Sequence, residues 1–111
     1  MRCMELAGLA GVVGAAALVG FGAMAADPFP GADLAAGKEI HSAKRCGSCH
    51  AQKSGRDEAH MYLREGRKVN TLFDLRRYVS LCNMELKLDL FPEDERDVGA
   101  YVNQQYYKLV K

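Results

Sequence analysis

The chain has 111 residues, with 15 Lys and Arg set against 14 Asp and Glu for a formal net charge of +1. So even a balance gives no bulk attraction to nucleic acid or to an anionic membrane. Four cysteines and three histidines in so short a chain point instead to thiol and metal chemistry.

Residues 1–25 begin with Arg2, run from 6 to 24 almost wholly through Leu, Ala, Val, Gly, Met and Phe, and end on Ala23-Met24-Ala25. That layout predicts a secretory signal peptide cleaved near Ala25 and Ala26. The apolar run approaches the length of a membrane span, but its many Gly and Ala residues leave it weakly hydrophobic. Removal is therefore expected, taking Cys3 with it, and membrane attachment follows only if the leader stays. The roughly 85 residues left are enough for one small domain whose core is marginal by itself. We assign that domain to residues 33–111, preceded at 26–32 by an extended arm in which Asp27-Pro28-Phe29-Pro30-Gly31 cannot continue a helix.

All the elements after the arm read as helical. Asp33 is placed to cap a first helix over residues 34–45 that runs into Cys46. Residues 52–67 are polar, with Ser54-Gly55 and Gly66, and predict a loop with at most a short helical turn near 58–63. A second helix is expected over 71–82, where Leu72, Leu75, Val79 and Cys82 recur at helical spacing on one face. The last begins at Pro92, with acidic residues in its first turn and Lys108 and Lys111 at its end. Its expected buried stripe is Val98, Tyr101, Val102, Gln105 and Leu109.

Cys46-Gly47-Ser48-Cys49-His50 is the most informative stretch. Two thiols one helical turn apart can each bond a haem vinyl group, and a histidine directly after the second is placed to ligate the iron: Cys-x-x-Cys-His is the attachment signature of c-type haem. A zinc site would need a second ligand pair, and only Cys82, His41 and His60 remain, without paired spacing. A thioredoxin-like redox pair would need a βαβ context, which is lacking. Covalent attachment takes place outside the bacterial cytoplasm, in agreement with the leader.

Over nearly the whole mature chain the pattern resembles class I cytochrome c. The resemblance lies in Gly37-Lys38-Glu39-Ile40 leading to the Cys46 motif, and in Val98-Gly99-Ala100-Tyr101-Val102 near the end. It implies an all-α fold in which the N- and C-terminal helices cross around one covalently bound haem, with Gly37 and Gly99 allowing close approach and Tyr101 beside them. More narrowly, Val79-Ser80-Leu81-Cys82-Asn83, the Phe91-Pro92 turn and the Tyr-rich end from Tyr101 to Tyr107 look like a group of small bacterial monohaem cytochromes. The family usually carries a proline about a dozen residues after the haem histidine, where the ring N–H finds its acceptor. Residues 56–64 have none, so the sequence does not name the partner of His50.

The implied roles are haem attachment for Cys46 and Cys49 and proximal iron ligation for His50. Two candidates compete for the distal position. Met84 follows the middle helix in what reads as a loop, where the resemblance puts a methionine, and a thioether would raise the potential. Cys82 is the one thiol left over in an oxidising compartment, and a thiolate would depress the potential. His60, Met61 or an open site stand behind them. Arg56, Arg64, Arg67 and Lys68 are candidates to pair with the haem propionates.

The expected function is transfer of one electron between periplasmic redox partners by a carrier that is not itself an enzyme. A haem-based sensor and a small electron-transfer subunit of a larger oxidoreductase are the alternatives. Basic residues outnumber acidic ones about two to one over residues 38–77, whereas 85–97 are mostly acidic, a dipole that can orient docking. Oligomeric state is not legible.

Overall fold

A computed structural model describes residues 27–110, so the expected leader at 1–25 lies outside the described residues. The described chain is all-helical: α1 (Leu34–Ala43), α2 (Cys46–Ser54), α3 (Glu58–Leu63), α4 (Leu72–Leu86) and α5 (Pro92–Val102), extended by a π-helical turn over Asn103–Tyr107. None of these helices is long and apolar enough to cross a membrane.

Local chemistry sets most of the helix starts. The Asp33 side chain accepts from Ala36 N at 3.0 Å, Asp57 from His60 N at 2.9 Å, and Thr71 from Asp74 N at 3.0 Å, with the Asp74 carboxylate reaching back to Thr71 N. At α5 the Asp94 carboxylate accepts from Phe91 N, and Pro92 occupies the first turn.

The ends are less regular than the sequence predicts. α1 does not run into the cysteine motif, because Arg45 adopts a left-handed conformation (φ 55°) and starts α2 in a new direction. α4 continues past the expected end at Cys82 to Leu86, since neither Gly nor Pro interrupts it before Lys87 turns left-handed. The return to α5 is held by the Asn83 side chain, which donates to Leu90 O at 2.9 Å and to Glu95 Oε2 at 2.8 Å and accepts from Leu90 N at 3.0 Å.

The most extensive helix contact joins α1 to α5. Gly37 is buried there, and a Cβ on it would collide with the Asp97 carbonyl. The Asp97 carboxylate, itself buried, accepts from Asp33 N at 3.0 Å and from Arg96 Nε at 2.9 Å. Burial alone would raise this carboxyl; the Arg96 and Asp33 donors outweigh it and hold it below the ordinary range. Gly99 has a different part from the one expected. It faces the ring of Phe29, so the segment before α1 is pinned to the core by that aromatic side chain.

The core is thin. Phe29, Tyr62, Val69, Leu72, Leu75, Val98 and Val102 are buried, yet no described side chain is completely enclosed. Of the stripe predicted for the last helix, Val98 and Val102 are buried, Tyr101 and Leu109 are half-buried and Gln105 is exposed. The cause is the π turn, in which Lys108 N donates to Asn103 O five residues back. Each turn then takes up an extra residue, which shifts the inward face from Gln105 to Tyr106 and Tyr107.

Candidate cofactor site

α2 carries the cysteine motif on its first turn. Cys46 and Cys49, three residues apart, share one helical face, and both line a cavity of about 210 Å3 together with His50. The facing wall is α4, where Leu75, Val79, Cys82 and Leu86 follow one another at helical spacing. Val98 and Val102 of α5, with Val69 and Tyr107, complete a mostly apolar enclosure. Lys44, Arg64 and Lys68 reach its edge from exposed positions. Arg67 also lines it, with its guanidinium 5.7 Å from the centre of the Tyr107 ring.

Cys46, Cys49 and Cys82 are all free thiols. Burial pushes Cys46 above its ordinary value, assisted by the nearby Glu58 carboxylate. Burial likewise raises Cys82. Among the described residues no cluster of three or more His, Cys, Asp or Glu side chains is grouped to hold a bare metal ion.

Behind His50 lies a polar chain that the sequence did not announce. The Tyr62 hydroxyl stands 2.6 Å from His50 Nδ1 and donates to Glu58 Oε1 at 2.8 Å. Glu58 also binds His41 Nε2 at 2.5 Å through Oε1, and the Tyr106 hydroxyl at 2.9 Å through Oε2. Burial alone would raise the Glu58 carboxyl; donation from Tyr62, Tyr106 and His41 holds it below its ordinary value instead. It is therefore an acceptor only. A phenol has one proton, and Tyr62 gives that proton to Glu58, so the hydrogen on the 2.6 Å contact must come from His50 Nδ1. Burial lowers the His50 pKa, which favours the neutral ring. The ring is thereby assigned one tautomer, with the proton on Nδ1 and a lone pair on Nε2.

Each partner is placed by helix geometry. Glu58 and Tyr62 are four residues apart on α3 and so share a face. Tyr62 is only 4% exposed, packed edge-on to His50 and against the Tyr106 and Tyr107 rings. The π turn is what lets two consecutive tyrosines serve one region, Tyr106 through Glu58 and Tyr107 through the cavity wall. Burial first, then the Glu58 carboxylate, pushes the Tyr106 phenol up to about 12.

Neither a family model, nor a curated protein, nor a solved structure matches the chain. The donor set itself must therefore identify the site.

Of the residues singled out in the sequence, Cys46, Cys49, His50, Cys82, Arg64, Arg67 and Lys68 meet at this cavity, and Met61 reaches it as well. Arg56 and His60 do not line it. Met84 lies in the last turn of α4 rather than in a loop, is 69% exposed, and takes no part in the lining. At helical spacing Cys82 and Met84 point about 160° apart, so α4 cannot turn both to one side. Glu58, Tyr62, His41 and Tyr106 were not expected at the site. Asp57 as a cap and the i, i+4 pair of Glu58 and Tyr62 were the available signals, obscured by a segment polar enough to read as loop.

Proposed function

We propose that this chain is a single-haem c-type cytochrome of class I-like architecture. It is exported by the leader at residues 1–25 and passes one electron at a time between periplasmic redox partners, without being an enzyme in its own right. The observation that carries this reading is the convergence of Cys46, Cys49, His50 and Cys82 on one predominantly apolar cavity with cations at its edge. Two unpaired thiols on one helical face suit two thioether bonds, and the lone pair on His50 Nε2 suits ligation of an iron. When bound, haem supplies one-electron redox chemistry. Leu75 and Val79 make the facing wall apolar, while Arg64, Arg67 and Lys68 offer charge-assisted hydrogen bonds to carboxylates at its edge.

In this reading Cys82 would be the second side chain to hold the iron, because it lines the cavity from the facing wall while Met84 is turned outward. A thiolate there stabilises ferric iron and lowers the reduction potential. The test is expression with cytochrome c maturation machinery, followed by mass, ferric absorption spectrum and potential for the wild type and for Cys82→Ala, Met61→Ala and Met84→Ala. One covalent haem is expected, with thiolate features that disappear only in Cys82→Ala. Absence of covalent haem would overturn the reading. A thioether band lost only in one of the methionine variants would keep the carrier and replace Cys82.

A further inference from the structure

The cavity's polar chain is half-buried around the buried Tyr62, where His50 meets the rest of the fold, and attachment of a prosthetic group through two thiols does not by itself require it. We infer that Tyr62, anchored by Glu58, is the positioning residue for His50: its hydroxyl takes the Nδ1–H bond, fixes the ring's orientation and tautomer, and strengthens Nε2 as a donor to iron. This inference rests on the haem reading above and deepens it.

The geometry supports it at each link. The 2.6 Å contact and the 84° edge-on packing of the two rings fix both the distance and the plane of the imidazole. Tyr62 cannot turn away, being buried in the core with its own proton committed to Glu58 at 2.8 Å. Glu58 is in turn held from two other helical segments, by His41 of α1 and by Tyr106 of the π turn. A hydroxyl that donates to a carboxylate is a better acceptor than an isolated one, since the charge polarises the O–H bond and enriches the oxygen. An imidazole whose N–H is drawn toward such an acceptor becomes more basic at its other nitrogen, which is how outer partners of a ligating histidine tune a metal. The chain from Glu58 through Tyr62 to His50 therefore favours ferric over ferrous iron, in the same direction as a thiolate from Cys82.

The experiment measures reduction potential and the iron–histidine vibration in haem-loaded wild type, Tyr62→Phe, Glu58→Gln and Tyr106→Phe, with the vibration recorded in a Cys82→Ala background. Tyr62→Phe keeps the ring and deletes the acceptor, so the reduction equilibrium should rise about tenfold, some 59 mV for one electron, and the vibration should move to lower frequency. Glu58→Gln removes the charge and should produce a smaller shift of the same sign. Tyr106→Phe touches only the far oxygen of Glu58 and should shift the least. If Tyr62→Phe does not load haem, the sign of the Glu58→Gln shift decides. Loaded variants whose potentials and vibrations match wild type overturn the inference and leave the cytochrome reading standing. A wild type that carries no covalent haem overturns both.

Discussion

The two walls of the cavity are built on opposite principles. On the His50 side, four side chains from α1, α3 and the π turn form a hydrogen-bonded chain that ends on the imidazole, each of them bonded to at least one other. On the α4 side, Leu75, Val79 and Leu86 surround one soft donor, Cys82, without such support. A ligand held by a satisfied network has one geometry and one protonation state. A thiol on an apolar helical face is held only by packing. In the proposed cytochrome the His50 wall would fix where the haem sits, and the α4 wall would be where its potential is retuned by a single substitution.

Three changes would break or sharpen this contrast. The largest effect is expected from Cys46→Ala combined with Cys49→Ala. The hydrogen-bonded wall is left intact, but no covalent bond is possible, and the pigment should be extracted by acidified organic solvent from the variant and retained by wild type. Next is Leu75→Ala on the apolar wall, where a side chain only 3% exposed would be truncated. A loss of about 2–5 kcal/mol is expected in denaturant unfolding. An effect no larger than that of a surface substitution would show that α4 contributes little to stability.

The smallest effect concerns the joint between α1 and α5 that both walls depend on. The Asp97 carboxyl is held below its ordinary value in the fold, so the unfolded chain binds more protons here than the folded one at mildly acidic pH. The resulting stability is fully present above the unfolded value of about 3.9 and is lost as pH falls through the lower folded value. Asp97→Asn should flatten the acid limb of stability against pH and lower the plateau at pH 7. An unchanged acid limb would assign acid sensitivity to another carboxylate, with Glu58 the foremost.

Much of the frame was legible because its causes are local. Asp33, Thr71 and Pro92 mark helix starts by side-chain chemistry, and the Cys46 motif and the Leu72, Leu75, Val79 and Cys82 stripe depend on spacing alone. What escaped depends on contacts between distant segments or on small backbone departures. No local signal says that Gly99 accommodates Phe29, that Arg45 bends the chain before Cys46, or that a π turn replaces Gln105 by Tyr106 and Tyr107 on the inner face. The resemblance puts the acceptor for the His50 ring N–H beside a proline, which residues 56–64 lack. It is a side chain twelve residues on, Tyr62, held in place by a carboxylate, and only the third dimension brings these groups together.

The Asn83 amide also biases which side chain of α4 can face the pocket. Turning Met84 into the pocket in place of Cys82 would require unwinding the last turn of α4, and that in turn would break the three hydrogen bonds that join Asn83 to Leu90 and Glu95, two donated by its amide and one accepted from Leu90 N. At about 1 kcal/mol each, their loss alone would hold the exchanged form to roughly one molecule in a hundred. In the proposed cytochrome the same two side chains would then hold the iron in both oxidation states.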